Sequence, residues 1–236
     1  MIVAIMQPYI FPYMGYFNLL HACDMFVSLD DVQHIRRGWI NRNRLQQGGK
    51  DVAFTVPLAK SPRESAITAQ RLAEDEYPRF LRRFEKTLAS AYNSAPFFRP
   101  VRELVLEVLH QPETNMARLA ERSLAAVLAY VGLERPFVAA SALPDDARGE
   151  GIKGAERLIA LASHLGATGY VNLPGGKSLY SPTIFAEAGL RLHFIEPALP
   201  EYVRPAPFIP GLSVIDALMY VPPEHMLQMF GGYRLS

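Results

Sequence analysis

Short apolar runs of strand length recur along this chain, and segments of helical spacing separate most of them. That alternation limits the fold more than any other feature. Ile2 to Met6, Met25 to Leu29, Asp51 to Leu58, Phe137 to Leu143, Gly169 to Leu173 and Arg191 to Ile195 each read as strands. Gly15 to Ala22, Gly154 to Leu165 and Ser181 to Ala188 carry apolar residues on one helical face. Strands alternating with helices favour a parallel sheet with right-handed crossovers. The expectation is a parallel, doubly wound, Rossmann-like α/β sheet of about five strands ordered 3-2-1-4-5.

Between residues 75 and 135 the period changes. Phe80, Phe84, Leu88 and Tyr92 recur at steps of four, and two further apolar series run from Val101 to Leu109 and from Met116 to Val131. Pro78, Pro96, Pro100 and Pro112 break the pattern and Gly132 stops it, which predicts three helices. The chain therefore divides into an α/β ligand-binding domain, residues 1–74 and 136–236, and a helical insertion, residues 75–135. The proline-rich stretch from Leu199 to Pro210 cannot be regular, and Ser213 to Tyr220 reads as a short helix with Ser213 as cap and Asp216 in its first turn.

Composition excludes several classes. Half of the 236 residues are hydrophobic, so a full core can form and disorder is ruled out. One cysteine, Cys23, excludes an internal disulfide framework and cysteine-rich metal sites. A net charge of +1 gives no global field for nucleic acid, so an anionic small-molecule substrate must be held by a local patch. No apolar run reaches the length of a membrane span, and the N-terminal residues lack a basic lead-in and a cleavage site, which suits a cytoplasmic protein. HExxH, GxSxG, CxxC and a GxGxxG after the first strand are all missing. Zinc catalysis, hydrolase triads and dinucleotide oxidoreduction lose ground, and no metal ligands are assigned.

Three segments carry the candidate chemistry. The first, Gln7-Pro8-Tyr9-Ile10-Phe11-Pro12-Tyr13-Met14-Gly15-Tyr16, joins the first strand to the first helix, where ligands bind in doubly wound sheets. Pro8 and Pro12 fix the loop, and Gly15 permits close approach at a helix N-terminus that favours phosphate. A rigid aromatic loop packed under the sheet is the equal alternative.

The second runs from Asp30, Asp31, Gln33 and His34 at the end of the second strand through Arg36, Arg37, Trp39, Asn41, Arg42, Asn43, Arg44 and Lys50. From His34 to Lys50 there are five basic residues and no acid. Arginine forks suit phosphate or carboxylate, Asn41 and Asn43 can bond sugar or base edges, and Trp39 offers a stacking face. Asp30 and Asp31 can serve a hydroxyl, a magnesium ion or these arginines. An internal ion-pair cluster with a core tryptophan is the alternative.

The third segment, Tyr170 to Ser181, contains Gly175-Gly176-Lys177-Ser178 and then Tyr180. The glycine pair can form an anion nest beside Lys177 and Ser178, but the full GxxxxGK[ST] spacing is absent, so a P-loop NTPase is rejected. An ordinary strand-to-helix turn is the alternative. A fourth stretch, Arg148 to Arg157 with three glycines, reads as solvent-facing charge at a helix start.

Gln7-Pro8-Tyr9, Phe11 to Phe17, Asp30-Asp31-Val32-Gln33, Trp39 to Arg44, Gly175 to Tyr180 and Ser213-Val214-Ile215-Asp216 together closely resemble the WbqC-like protein family. That resemblance implies a place in bacterial surface-polysaccharide (O-antigen) biosynthesis without implying a particular reaction. More distantly, Tyr13-Met14-Gly15-Tyr16 looks like the HxGH loop of nucleotidylyl transferases with tyrosine at both histidine positions. Loss of both histidines counts against adenylyl transfer while leaving room for a nucleotide, with or without magnesium.

The expected activity is acyl, aminoacyl or glycosyl-precursor transfer on a nucleotide-linked or phosphorylated metabolite. Lys177, Arg42 and Arg44 would clamp phosphate or carboxylate, Asp30 or Asp31 would position or deprotonate the acceptor, and Gln7, Tyr13, Asn41 and Asn43 would orient the ligand. The alternatives are a glycan-intermediate binding module or a divergent nucleotidylyl transferase.

Overall fold

The computed structural model describes residues 1–149 and 151–236. The first α/β unit is β1 (Ile2–Met6), α1 (Met14–Ala22) and β2 (Met25–Ser28). A hairpin follows, β3 (Arg42–Gln47) and β4 (Lys50–Thr55), and then three helices, α2 (Tyr77–Tyr92), α3 (Phe98–His110) and α4 (Met116–Val131). The chain returns through β5 (Phe137–Ala139), α5 (Asp145–Arg148), α6 (Gly154–His164), β6 (Gly169–Asn172), α7 (Pro182–Glu187) and β7 (Arg191–Pro197). It closes with α8 (Val214–Tyr220), α9 (Pro223–Phe230) and β8 (Tyr233–Leu235).

Six strands form one sheet in the order β5-β2-β1-β6-β7-β8, parallel except for β8. Counted along the chain within this sheet, the five parallel strands run 3-2-1-4-5, as expected of a doubly wound α/β fold. The third place belongs to Phe137–Ala139, however, and not to the apolar run at Asp51 to Leu58. That run pairs instead with Arg42–Gln47 around Gly48-Gly49, whose φ values of 58° and 78° suit a tight hairpin turn. Local hairpin closure outcompetes the longer crossover that a place in the sheet would need.

Strand alternation explains the two layers of helices. Ala4, Phe26, Val171 and Ile195 point to one face, where Tyr16, Phe17, Leu19 and Leu20 of α1 cover them. Val3, Ile5, Val27 and Tyr170 point to the other, under Leu158, Leu161 and Ala162 of α6 and Phe185 of α7. Phe84, Leu88, Val105, Leu119 and Leu124 of α2 to α4 join the first cluster, so the helical segment shares the core of that face. Helix α4 is capped by Asn115, whose Oδ1 accepts from Arg118 N at 3.2 Å, and it ends at Gly132, the expected stop, with φ 73°. Cys23 lies in the same core, where burial pushes its thiol up to about 12.

Buried side chains tie distant parts of the sequence together. Asn18 in α1 donates its amide to the Met229 and Phe230 carbonyls at 2.8 and 2.9 Å. Ser213, the cap of α8, receives the sequence's expected role and bridges back to β3 by donating its N–H to Arg44 O at 2.9 Å.

Candidate functional site

Strand order reverses between β1 and β6, which opens a crevice beyond their C-terminal ends. A cavity of about 540 Å³ lies there. Met6, Gln7, Tyr9, Tyr13 and Tyr16 enter it from the end of β1 through the start of α1; Ile35, Gly38, Trp39 and Ile40 enter from the segment after β2. Asn43, Leu173 and Gly211 complete the wall. Each of the three segments singled out in the sequence thus contributes to this wall, the third through Leu173 alone and not through its glycine pair or Lys177, and none of these lining side chains is charged.

The first loop is held by its backbone. Phe11 adopts φ 40°, a left-handed conformation unusual for an aromatic residue. Its N–H donates to Ser123 Oγ at 2.9 Å, and its carbonyl accepts from Asn43 Nδ2 at 2.5 Å and from Ser213 Oγ at 2.8 Å. Asn43 also reaches Ile10 O at 3.1 Å, so its amide serves the loop it packs against. Asn41 similarly donates to Val56 O at 2.7 Å.

Tyrosine hydroxyls lock the same loop. Tyr16 donates to Gln7 O at 2.8 Å, and Tyr9 accepts from Tyr13 N at 3.0 Å. Gly15 is required because a methyl group there would collide with the Tyr13 ring. Burial pushes the Tyr9, Tyr13 and Tyr16 hydroxyls above their ordinary range, so they remain neutral hydrogen-bonding groups at physiological pH.

The second segment splits. Trp39 is 52% exposed, and the Arg44 guanidinium lies 5.5 Å from its ring centroid. Arg44 also bonds Asp51 at 3.1 Å and Gly211 O at 3.3 Å, which fixes it at the cavity rim. Arg42 donates to Arg37 O and Arg36 to Ser61 O. His34 is buried with Nε2 unpartnered, and burial, aided by Arg36, holds its imidazole below the ordinary range. Upstream, Asp30 is 1% exposed and accepts both the N–H and the hydroxyl of Ser141, at 2.9 and 2.6 Å.

Asp31 accepts twice from Arg157 Nη2, at 2.7 and 2.6 Å, and Gln33 donates to Arg63 O at 3.1 Å. Asp31 and Gln33 line a separate cavity of about 530 Å³.

In the third segment Leu173 reaches the aromatic cavity. Gly176 is buried close to Asn172 and Tyr180, and the Tyr180 ring packs edge-on to Tyr170. Gly175 and Ser178 are exposed, while Lys177 Nζ pairs with Glu196 at 2.9 Å. Pro8 is buried in the first loop.

A family model described as the WbqC-like protein family matches residues 7–228, which includes all three segments. The chain belongs to that family. It is also 28% identical over 231 residues to the protein named "Uncharacterized protein Rv1507c" of Mycobacterium tuberculosis, with 94% of each chain covered. No solved structure matches it.

Within this WbqC-like chain, sequence reasoning missed Ile35, Gly38 and Gly211 as cavity walls. Gly211 directly follows the proline-rich stretch, and neither periodicity nor a motif places it against Trp39. Arg157, set aside as a solvent-facing charge, is instead largely buried against Asp31. Among the described residues, no three His, Cys, Asp or Glu side chains gather where a metal ion could be held, and no helix is long and apolar enough to cross a membrane.

Proposed function

We propose that this chain is a cytoplasmic group-transfer enzyme of bacterial surface-polysaccharide (O-antigen) biosynthesis, moving an acyl, aminoacyl or glycosyl-precursor group on a nucleotide-linked or phosphorylated metabolite. The observation that carries the reading is the uncharged, aromatic cavity at the strand-order reversal. Its tyrosines and Trp39 suit the flat face of a base or the apolar face of a sugar ring. Charged parts of such a ligand would extend to the rim, where Arg44 lies across Trp39. On this proposal Arg42 and Lys177 add positive charge to the bound anion, Lys177 by exchanging Glu196 for it. In this reading Gln7 and Tyr13 orient the ring. Asp31, the less buried of the two aspartates, positions or deprotonates the acceptor, and Asp30 fixes the segment through Ser141. Residues 75–135 act as an insertion that buttresses the first loop, a role supported by the bond from Phe11 to Ser123.

Trp39 is the sole tryptophan and lines the cavity, so it reports ligand directly. Titration with nucleotides, nucleotide sugars and sugar phosphates should change its emission saturably, and Tyr13→Ala should weaken that response. A panel that leaves both emission and melting temperature untouched overturns the reading. Magnesium-dependent pyrophosphate release from a nucleoside triphosphate would instead establish a nucleotidylyl transferase.

One observation favours a second reading, a non-catalytic module that binds a glycan intermediate: both aspartates already have partners, Ser141 and Arg157. Asp31→Asn separates the two, because a catalyst loses turnover while its ligand still binds, and a binding module has no turnover to lose.

A further inference from the structure

The second cavity, about 530 Å³ across the post-β2 segment from the aromatic one, has a different chemistry. Asp31 and Gln33 form one side; Arg148, Lys153 and Arg157 form the other. Among the described residues its two lining carboxylates already have partners. Asp31 is held by Arg157 Nη2, and Asp145 is paired with Arg148. Arg157 also gives Nε to Arg148 O at 2.9 Å, which holds its guanidinium plane and leaves Nη1 without a partner among the described residues. Lys153 has no acidic partner among them either, and it stands at the N-cap of the eleven-residue helix α6 without capping it. Gly149, Gly151 and Gly154 adopt left-handed φ values of 62°, 85° and 61°, and Gly149, Gly151, Ile152 and Lys153 line this wall beside Arg157 of α6.

We infer that this cavity is a second ligand site that takes the oxyanion group, phosphate or carboxylate, of a small metabolite, with Lys153 and Arg157 as its cationic contacts and Gln33 as a neutral donor. A cation site does not fit the described residues, because Asp31 and Asp145 each already face a guanidinium. The residual charge is small, which suits a single oxyanion and not a polyphosphate. The inference uses none of the residues of the aromatic cavity and shares only Asp31 with the group-transfer reading, so Lys153→Glu tests it apart from that reading.

Calorimetry and thermal denaturation of the whole chain with orthophosphate, acetate and chloride at matched ionic strength provide the test. Orthophosphate or acetate should stabilise saturably where chloride does not, the stronger of the two identifying the oxyanion class. Lys153→Glu, a change at an exposed position, should weaken binding by about tenfold or more. Asp31→Asn should tighten it severalfold by releasing Arg157, and Trp39→Phe should leave it unchanged. Equal effects of all three salts, or an unaltered affinity in Lys153→Glu, would overturn the assignment.

Discussion

Arg204 donates from Nη1 to Asp216 Oδ2 at 2.5 Å, and neither side chain sees solvent appreciably, with 4% and 0% exposure. Asp216 also accepts from the Tyr92 hydroxyl at 2.7 Å on its other oxygen and from the Tyr202 hydroxyl. One carboxylate therefore fastens the proline-rich stretch to α8 and α2. Gln46 Nε2 adds a bond to Pro207 O at 2.8 Å, and Gly211, just beyond the stretch, lines the aromatic cavity.

Asp216→Ala leaves a buried guanidinium and two buried hydroxyls without their acceptor. The expected loss is about 3–5 kcal/mol, the usual cost of removing one member of a buried ion pair. Urea denaturation measures it, and a loss below 1 kcal/mol, roughly the scale of an exposed pair, would show that the cluster is not sealed.

Asn43→Ala removes both bonds from its amide to the first loop and weakens the hold on the strained Phe11 backbone. Stability should fall by about 1–3 kcal/mol through the loss of two bonds to buried carbonyls, of which Phe11 O keeps its bond from Ser213. Trp39 emission should shift with it, because Asn43 and Trp39 line the same cavity. An unchanged spectrum would separate the loop from the cavity wall.

Gly15→Ala forces the Tyr13 ring away from α1. Overpacking should cost about 1–3 kcal/mol. Affinity for any ligand of the aromatic cavity should fall further than stability does, and Tyr13→Leu in the same background should restore the stability but not the affinity.

Acid sensitivity should follow His34. Burial, with a smaller contribution from Arg36, depresses its folded-state value, so the unfolded chain takes up a proton first. The stability owed to neutral His34 is complete above roughly pH 6.5 and is lost as pH falls through the folded value. Glu121 acts oppositely: burial raises its carboxyl, so lowering the pH relieves a cost. His34→Gln should flatten the decline below neutrality, and Glu121→Gln should steepen it, both read from stability against pH.

Apolar patterning made the parallel sheet and the three central helices legible, though not which segment takes the third place in the sheet, because burial on both faces makes a strand a short continuous apolar run and burial on one face of a helix imposes steps of three and four. The hairpin was overlooked although Gly48-Gly49 is a strong turn signal, since Arg42 to Gln47 has too few apolar residues to read as a strand. The last helix, α9, and β8 were missed because their contacts are tertiary: Phe230 stacks on Phe17, and β8 pairs with β7.

The candidate site was legible in part. Tyr13, Trp39 and Leu173 meet as the segment positions implied. What composition could not show is how a polar side chain spends its bonds. Asn41 and Asn43 hold backbone, Lys177 pairs with Glu196, and Asp31 faces Arg157 across a different cavity. Such choices depend on neighbours more than a hundred residues away, as for Asp31 and Arg157, and no local pattern records them.

The amide of Asn18 reaches carbonyls more than two hundred positions downstream. A nascent chain therefore carries α1 out of the ribosome long before the groups that satisfy it exist. Until residues 229 and 230 have emerged, the Asn18 amide lacks these carbonyl partners, so the arrival of α9 decides when α1 gains its full set of native bonds.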